Sequence, residues 1–206
     1  PCEMCIRDRV NGMLEEVVRK WNLDAISVEC FTLVHNEGVT ACLPLSNFND
    51  KGVPAGCEGD ITAIIGMMLG KEIIGSIPWI ANINKVTEEY CLFSHCTIAK
   101  GLVENFTVMT HFETGKGSAI AGDFKDNSVT IFRLDNTLSN AFISSSQIID
   151  RPKSCSACRT QIKVELTKHQ VYLLKEKPLG NHHLIFPGDC EKLLRTMCNV
   201  MDINIL

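Results

Sequence analysis

The chain has 206 residues, of which 45% are hydrophobic and 21% are charged, and its formal net charge is −4. This composition suffices for one or two domains with a sizeable core. It excludes a protein built around a large basic surface for nucleic acid. No apolar run is long enough to span a membrane, and no secretion signal is recognisable. We therefore expect no nucleic acid and no membrane among the partners.

The cysteine usage indicates the redox environment. Eleven cysteines are an odd number, so at least one cannot pair within the chain. Most have apolar neighbours, as Cys30, Cys91 and Cys198 do, which is typical of free, buried thiols. The sequence therefore predicts a reducing, cytoplasmic location. Because the first residue is Pro1, the chain is interpreted as a fragment of a longer protein.

The N-terminal stretch has the pattern of the end of an α/β unit. Apolar residues recur every three or four positions over residues 5–21, which predicts a helix. Residues 23–31 have the composition of a buried strand, with β-branched Ile26 and Val28. Residues 36–57 predict loops around one short helix.

The remainder of the chain is richer in strands. Residues 60–74 are mostly apolar and predict a buried helix, and residues 189–200 predict a closing helix. Between them, short β-rich segments separated by turns suggest an antiparallel barrel or sandwich. These predicted strands cover residues 90–94, 106–111, 118–124, 128–134, 159–166 and 170–174.

Three acidic residues are candidates for chemistry. Glu58 and Asp60 stand among glycines at the entry to the apolar helix. Asp60 suits a helix N-cap, but a cap needs one acid, and closely spaced carboxylates suit a divalent metal or acid–base catalysis. Glu29 lies inside a predicted strand, where a charge needs a partner or a metal unless it faces solvent.

Two adjacent histidines follow a turn near the C-terminus. In Gly180-Asn181-His182-His183, neighbouring side chains on a strand would point to opposite faces. One histidine could bind a metal while the other packs or makes a supporting hydrogen bond. A purely structural pair is the alternative.

Short cysteine motifs form a separate group of candidates. Cys2-x-x-Cys5 and Cys155-x-x-Cys158 each match half of a zinc or iron–sulfur site, which would require the fold to join both ends of the chain. The neighbours His95 and Cys96 diverge on a strand, which disfavours a thiol hydrolase.

Taken together, these motifs resemble the C-terminal region of the L-fucose isomerase and L-arabinose isomerase superfamily, and most of all the fucose-isomerase-like proteins of archaea and anaerobic bacteria. The resemblance spans roughly residues 24–200 and rests on segments 56–60, 93–97, 110–113, 158–161 and 180–183. It implies a cytoplasmic aldose–ketose isomerase that uses a divalent metal, typically Mn²⁺. The implied fold is α+β: the end of an α/β domain with connecting loops over residues 1–55, and then a mostly antiparallel, β-barrel-like C-terminal domain with flanking helices over residues 56–206.

The resemblance also implies roles for single residues. Glu29 matches the first acid of the metal site, and either Glu58 or Asp60 matches the second. His182 is favoured as the imidazole ligand because it follows the Gly-Asn turn, and His183 is the alternative; the arabinose branch has a second histidine. An acid would move a proton from C2 of an open-chain sugar to C1 while the metal stabilises the enediolate.

Whole isomerases of this kind have several hundred residues, and neighbouring subunits complete their sites. The implied partners are therefore a small sugar, either a pentose or a deoxyhexose, and further copies of the chain in a trimer or hexamer. The resemblance leaves open whether this region acts alone. The alternative function is a non-catalytic sugar- or metal-binding domain that kept the isomerase fold.

Overall fold

The computed structural model describes residues 3–206, and for residues 3–7 only the backbone is described. The described helices are α1 (Glu3–Trp21), α2 (Cys30–Glu37), α3 (Cys42–Asp50), α4 (Ile61–Ile74), α5 (Lys168–Glu176) and α6 (Glu191–Val200), with a short 3-10 helix over Lys100–Leu102. The described strands are β1 (Ile26–Val28), β2 (Ala55–Cys57), β3 (Trp79–Val86), β4 (Tyr90–His95), β5 (Val103–Met109), β6 (Ala119–Phe124), β7 (Ser128–Leu134), β8 (Asn140–Asp150), β9 (Thr160–Glu165), β10 (His182–Pro187) and β11 (Asn204–Ile205). None of the described helices has the length and apolar character needed to cross a lipid bilayer.

Six antiparallel strands form a closed barrel. Their order is β8-β7-β10-β3-β4-β9, and a further pairing between β8 and β9 closes the ring. β8 is long enough to pair with β7 over most of its length and with β9 at its end, where the register shifts between Ile148 and Asp150. Such an irregularity bends a strand, which lets β8 reach both neighbours. The predicted α+β fold with a mostly antiparallel barrel is confirmed.

The barrel strands separate two apolar cores. Alternate residues such as Phe93 and Ile185 fill the interior, whereas Leu184 and Phe186 face outward against α4 and α6. α4 lies so close to β10 that a Cβ on Gly70 would be 2.2 Å from the Phe186 ring. The absence of a side chain at Gly70 therefore fixes where α4, and with it the start of that helix, sits against the barrel.

A smaller sheet belongs to the N-terminal region. β1 and β2 pair in parallel, with Val28 opposite Cys57. α1 and α3 lie beside them around a separate apolar cluster that includes Ile26, Leu45 and Phe48. The predicted domain boundary between residues 55 and 56 falls within β2, and the division into two domains stays a prediction.

Several predicted elements are confirmed and two are wrong. The helices predicted over residues 5–21, 60–74 and 189–200 correspond to α1, α4 and α6. The strand predicted over residues 23–31 is limited to Ile26–Val28, because Glu29 caps a helix instead of continuing the strand.

The second error concerns the strand predicted over residues 170–174. This segment lies in α5, which begins with a reciprocal capping box between Thr167 and Gln170. A capping box satisfies backbone N–H groups that a strand would leave free, so it favours a helix. β3 and β8 were not predicted.

Candidate metal centre

A left-handed turn holds Glu58 at the end of β2. Glu58 has φ +61° and Gly59 has φ +66°, a region that is unfavourable for a residue with a side chain. Asp60 follows and caps α4 by accepting the N–H of Ala63 at 2.9 Å. The turn is therefore fixed on one side by the pairing of β2 and on the other by the cap of α4.

Glu58, His95 and His182 form one compact cluster. His95 ends β4 and His182 begins β10, with β3 between these two strands. One carboxylate oxygen and one nitrogen of each ring all lie within 4.8 Å of one another. The Glu58 carboxylate is 3.4 Å from His182 Nε2 and 3.7 Å from His95 Nε2, and both histidines are buried. The structure thus brings together two predicted site residues, Glu58 and His182, and adds His95.

Asp60 contacts the other ring nitrogen of His182. Its Oδ2 is 3.0 Å from His182 Nδ1 and 2.8 Å from Arg133 Nη1. Arg133 is almost completely buried, and a Cβ on Gly180 would come within 2.6 Å of its guanidinium. Asp60 therefore lies outside the cluster of three ligand atoms, where it caps α4, orients His182 and neutralises Arg133.

The two histidines of the cluster have opposite hydrogen-bond patterns. His182 Nδ1 donates to a carboxylate, and its buried Nε2 has no hydrogen-bond partner. When the His182 imidazolium loses its Nε2 proton, the ring presents the lone pair of Nε2 to the cluster, as a metal ligand must. His95 Nδ1 accepts the N–H of Thr97 at 3.1 Å, so neutral His95 carries its proton on Nε2. His182 is already oriented as a ligand, whereas His95 can bind a metal through Nε2 only if it gives up the bond to Thr97.

The charges of the cluster suit a cation. Burial lowers the pKa of His182, but the hydrogen bond to Asp60 and the nearby Glu58 carboxylate outweigh this effect and raise the pKa to about 9. The nearby imidazole of His182, and after it that of His95, holds the pKa of Glu58 well below its usual range. The pKa of Asp60 is also lowered, because bonds to His182 and Arg133 outweigh the effect of burial. Two carboxylates thus share one imidazolium, whose positive charge a divalent cation can replace.

Glu29 lies beside this cluster but outside it. Val28 and Cys57 are partners across β1 and β2, so Glu29 and Glu58 follow the same point of the small parallel sheet, a place where α/β folds hold functional groups. Glu29 accepts the N–H of Thr32 at 2.8 Å. This bond lowers its pKa, while the negative charge of Glu58 acts in the opposite direction.

His183 points into the barrel, opposite to His182. Its ring lies between Phe93 and Phe142, with centroid distances of 6.0 and 5.9 Å. Burial, and after it the charge of Arg133, lowers the pKa of His183 to about 3, so the ring is neutral. The predicted placement of adjacent histidines on opposite faces of a strand is confirmed, and His183 lies outside the cluster.

The cysteine motifs do not join the cluster in the part of the chain that the structure describes. The Cys2-x-x-Cys5 motif lies outside the residues whose side chains are described. Cys155 is exposed, and Cys158 packs against Cys42 and Cys96. Within residues 8–206, the group with metal-ligand spacing is Glu58, His95 and His182.

Comparisons with known proteins place this geometry in context. No protein-family model matches the chain. The sulfoquinovose isomerases of Priestia aryabhattai and Priestia megaterium are each 28% identical to it over 132 residues. The matched region covers 60% of this chain and 30% of each relative, which is less than a third of the relative's length. The chain is thus distantly similar to a sugar isomerase, and the similarity does not distinguish the fucose isomerase superfamily.

Proposed function

We propose that the chain carries the metal-binding catalytic region of an aldose–ketose isomerase. The observation that carries this proposal is the cluster of one carboxylate and two imidazoles, with ligand atoms within 4.8 Å of one another. Carboxylate oxygen and imidazole nitrogen are donors suited to Mn²⁺ and neighbouring divalent metals. The distant similarity to sulfoquinovose isomerase supports a sugar as substrate.

Glu58 and His182 are the principal metal ligands in this proposal. Asp60 and Arg133 support them, because Asp60 fixes the ring of His182 through Nδ1 and Arg133 balances the charge of Asp60. His95 completes the donor set at the expense of its bond to Thr97. A metal held by these residues would supply Lewis-acid stabilisation of the negative charge that develops on the oxygens of the sugar.

Glu29 is the proposed proton-transfer group. It is exposed at the edge of the centre, and its hydrogen bond to Thr32 is local to the start of α2. Its carboxylate can therefore turn toward a sugar without disturbing the histidines. It would accept the proton from C2 of the open-chain sugar and return it to C1, a role in which general acid–base catalysis contributes about 10²- to 10⁴-fold.

Sulfoquinovose is the first substrate to test, because the matched relatives act on it by name. L-Fucose and L-arabinose come next, since the sequence motifs resemble isomerases of those sugars. Because the match covers only part of each relative, we propose that turnover belongs to the full-length protein. The resemblance to the fucose and arabinose isomerases is the ground for proposing that it assembles as a trimer or hexamer.

Metal titration tests the proposal first. The metal-stripped chain should bind about one Mn²⁺, measured by calorimetry and by electron paramagnetic resonance. His182→Gln should abolish this binding, because it removes the preoriented nitrogen. The matched control His169→Gln changes an exposed histidine on α5 and should bind Mn²⁺ like the unaltered chain.

Isomerisation is then measured with the full-length protein and each of the three sugars, with and without chelator. Metal-dependent conversion of an aldose to a ketose is the expected result. Failure to bind Mn²⁺ would contradict the proposed centre. Binding of metal and sugar without conversion by the full-length protein would instead support the non-catalytic domain.

A further inference from the structure

Three cysteines lie close together at one end of the barrel, and the proposed function uses none of them. Cys155 is exposed, whereas Cys158 is 8% exposed and Cys96 is 2% exposed. Cys96 and Cys158 share one small cluster with Cys42. The two thiol groups lie within interaction distance of each other. These residues therefore offer an exposed thiol three residues from a buried, contacting pair.

The backbone places Cys96 and Cys158 within reach of a disulfide. β4 and β9 are antiparallel, and their last aligned pair joins His95 to Thr160. Cys96 follows one member of this pair and Cys158 precedes the other by two residues, so the two cysteines flank the end of the ladder. Both side chains also lie in the same small buried cluster, which is consistent with the close approach that a disulfide requires.

A buried glutamine, Gln161, holds the turn that carries Cys155 and Cys158. Gln161 donates its amide N–H groups to the carbonyls of Ser154 and Cys158 at 2.7 and 2.9 Å. Its side-chain oxygen accepts the N–H of Ser154 at 3.2 Å. These three bonds close residues 154–158 into one turn, so Cys155 and Cys158 stay near each other while only Cys155 meets solvent.

We propose that Cys155, Cys158 and Cys96 form a thiol–disulfide exchange site that reacts with small disulfides, such as glutathione disulfide, and ends with a Cys96–Cys158 bond. Cys155 attacks the oxidant, which breaks its S–S bond, releases one glutathione and forms a mixed disulfide. Cys158 attacks the Cys155 sulfur and releases the second glutathione. Cys96 then attacks the Cys158 sulfur and regenerates the Cys155 thiol. Two protein thiols are oxidised, one glutathione disulfide is reduced, and the two thiol protons leave on the two glutathione molecules.

The position of this bond gives it a regulatory consequence, and this part rests on the proposed function. Cys96 lies between His95 and Thr97, the residues joined by the hydrogen bond that sets the orientation of the His95 ring. Drawing Cys96 toward Cys158 shifts both neighbours. Oxidation should therefore weaken metal binding at the cluster of Glu58, His95 and His182.

Oxidation of the full chain by glutathione disulfide tests the exchange site. Alkylation of free thiols and mass spectrometry of peptides should show the loss of two thiols, a Cys96–Cys158 cross-link and a free Cys155. Cys155→Ser should slow the reaction by about tenfold or more, because the accessible thiol is lost. The matched control Cys190→Ser alters a half-buried cysteine before α6 and should react at the unaltered rate.

Other products would overturn the proposal. These are a final Cys155–Cys158 bond, a persistent mixed disulfide, no loss of thiols, or a bond between Cys30 and Cys57. The last two cysteines also contact each other. Mn²⁺ affinity is measured before and after oxidation, and a fall of about tenfold is expected. Unchanged affinity would refute the regulatory consequence. Absence of Mn²⁺ binding before oxidation would refute the proposed function, and the cross-link would still decide the exchange site.

Discussion

The two sides of the candidate metal centre are built differently. On the barrel side, His95 and His182 are buried at strand ends, and Asp60 and Arg133 hold His182 through a chain of bonds of 3.0 Å or less. On the other side, the acids follow the short strands β1 and β2, and Glu29 is exposed. The barrel thus fixes His182 in advance, while Glu29 keeps the freedom to adjust to a substrate. Preorganised donors and an accessible acid are what metal binding and proton transfer respectively require.

Removing Arg133 should have the largest effect on the free energy of unfolding, because Arg133 is buried on the barrel side of the centre. Arg133→Met leaves the Asp60 carboxylate beside the barrel without its cation, and breaking such a buried pair destabilises by about 3–5 kcal/mol. Urea unfolding measures this loss. The matched control Arg195→Met breaks the partly exposed ion pair with Glu191 and should remove less than about 1 kcal/mol. Equal losses would show that the two pairs are energetically alike.

Altering Asp60 should separate its role as the N-cap of α4 from its role in orienting His182. Asn can still cap α4, but Asp60→Asn removes the charge that orients His182. The dissociation constant for Mn²⁺ should rise about 10- to 100-fold, as is usual when a group behind a metal-binding histidine is lost. Calorimetry measures this change, with Asp189→Asn at an exposed turn as the control. Unchanged affinity in Asp60→Asn would mean that the strand alone orients His182.

Adding a methyl group between α4 and β10 should test how tightly the barrel side is packed. Gly70→Ala forces the helix away from Phe186, and such overpacking destabilises by about 1–3 kcal/mol. The control Gly12→Ala lies in α1 with nothing within 4 Å of the added Cβ. It should stabilise the chain by about 0.5–1 kcal/mol through helix propensity. Thermal unfolding that shows stabilisation in both variants would contradict the close approach.

Glu29→Gln should have the smallest effect on metal binding. Because the side chain is exposed and lies outside the cluster, Mn²⁺ affinity should change by less than about fivefold. Turnover by the full-length protein should nevertheless fall about 10²- to 10⁴-fold if Glu29 transfers the proton. A loss of affinity as large as that of Glu58→Gln would instead make Glu29 a metal ligand.

Local sequence patterns predicted two parts of the site, the helix that Asp60 caps and the opposite orientation of the two adjacent histidines. The apolar segment after Asp60 predicted α4 and its cap, and the alternation on a strand predicted that His182 and His183 face opposite sides. The acids and His182 were chosen because charged and imidazole groups stood out beside apolar segments. That the acids and His182 lie close together in space was predicted from the family resemblance, and not from their spacing in the sequence.

His95 was missed as part of the site because its role depends on distant pairing. β3 separates β4 from β10 in the barrel, and β3 itself was not predicted, so nothing local placed His95 near His182. Arg133 gave a signal that could have been used. It stands in a mostly apolar predicted strand, and a buried charge needs a partner, which the structure shows to be Asp60.

The separation of the site residues along the chain has a consequence for biosynthesis. Asp60 and His182 are 122 residues apart, and His182 begins β10, the last strand of the barrel to be synthesised. A nascent chain that lacks β10 has neither a complete barrel nor the preoriented nitrogen. The proposed metal centre is therefore complete only when the barrel is complete, and a metal that bound the folded state would favour that state by mass action. Metal supply would then influence how much of the newly made chain reaches and keeps its fold.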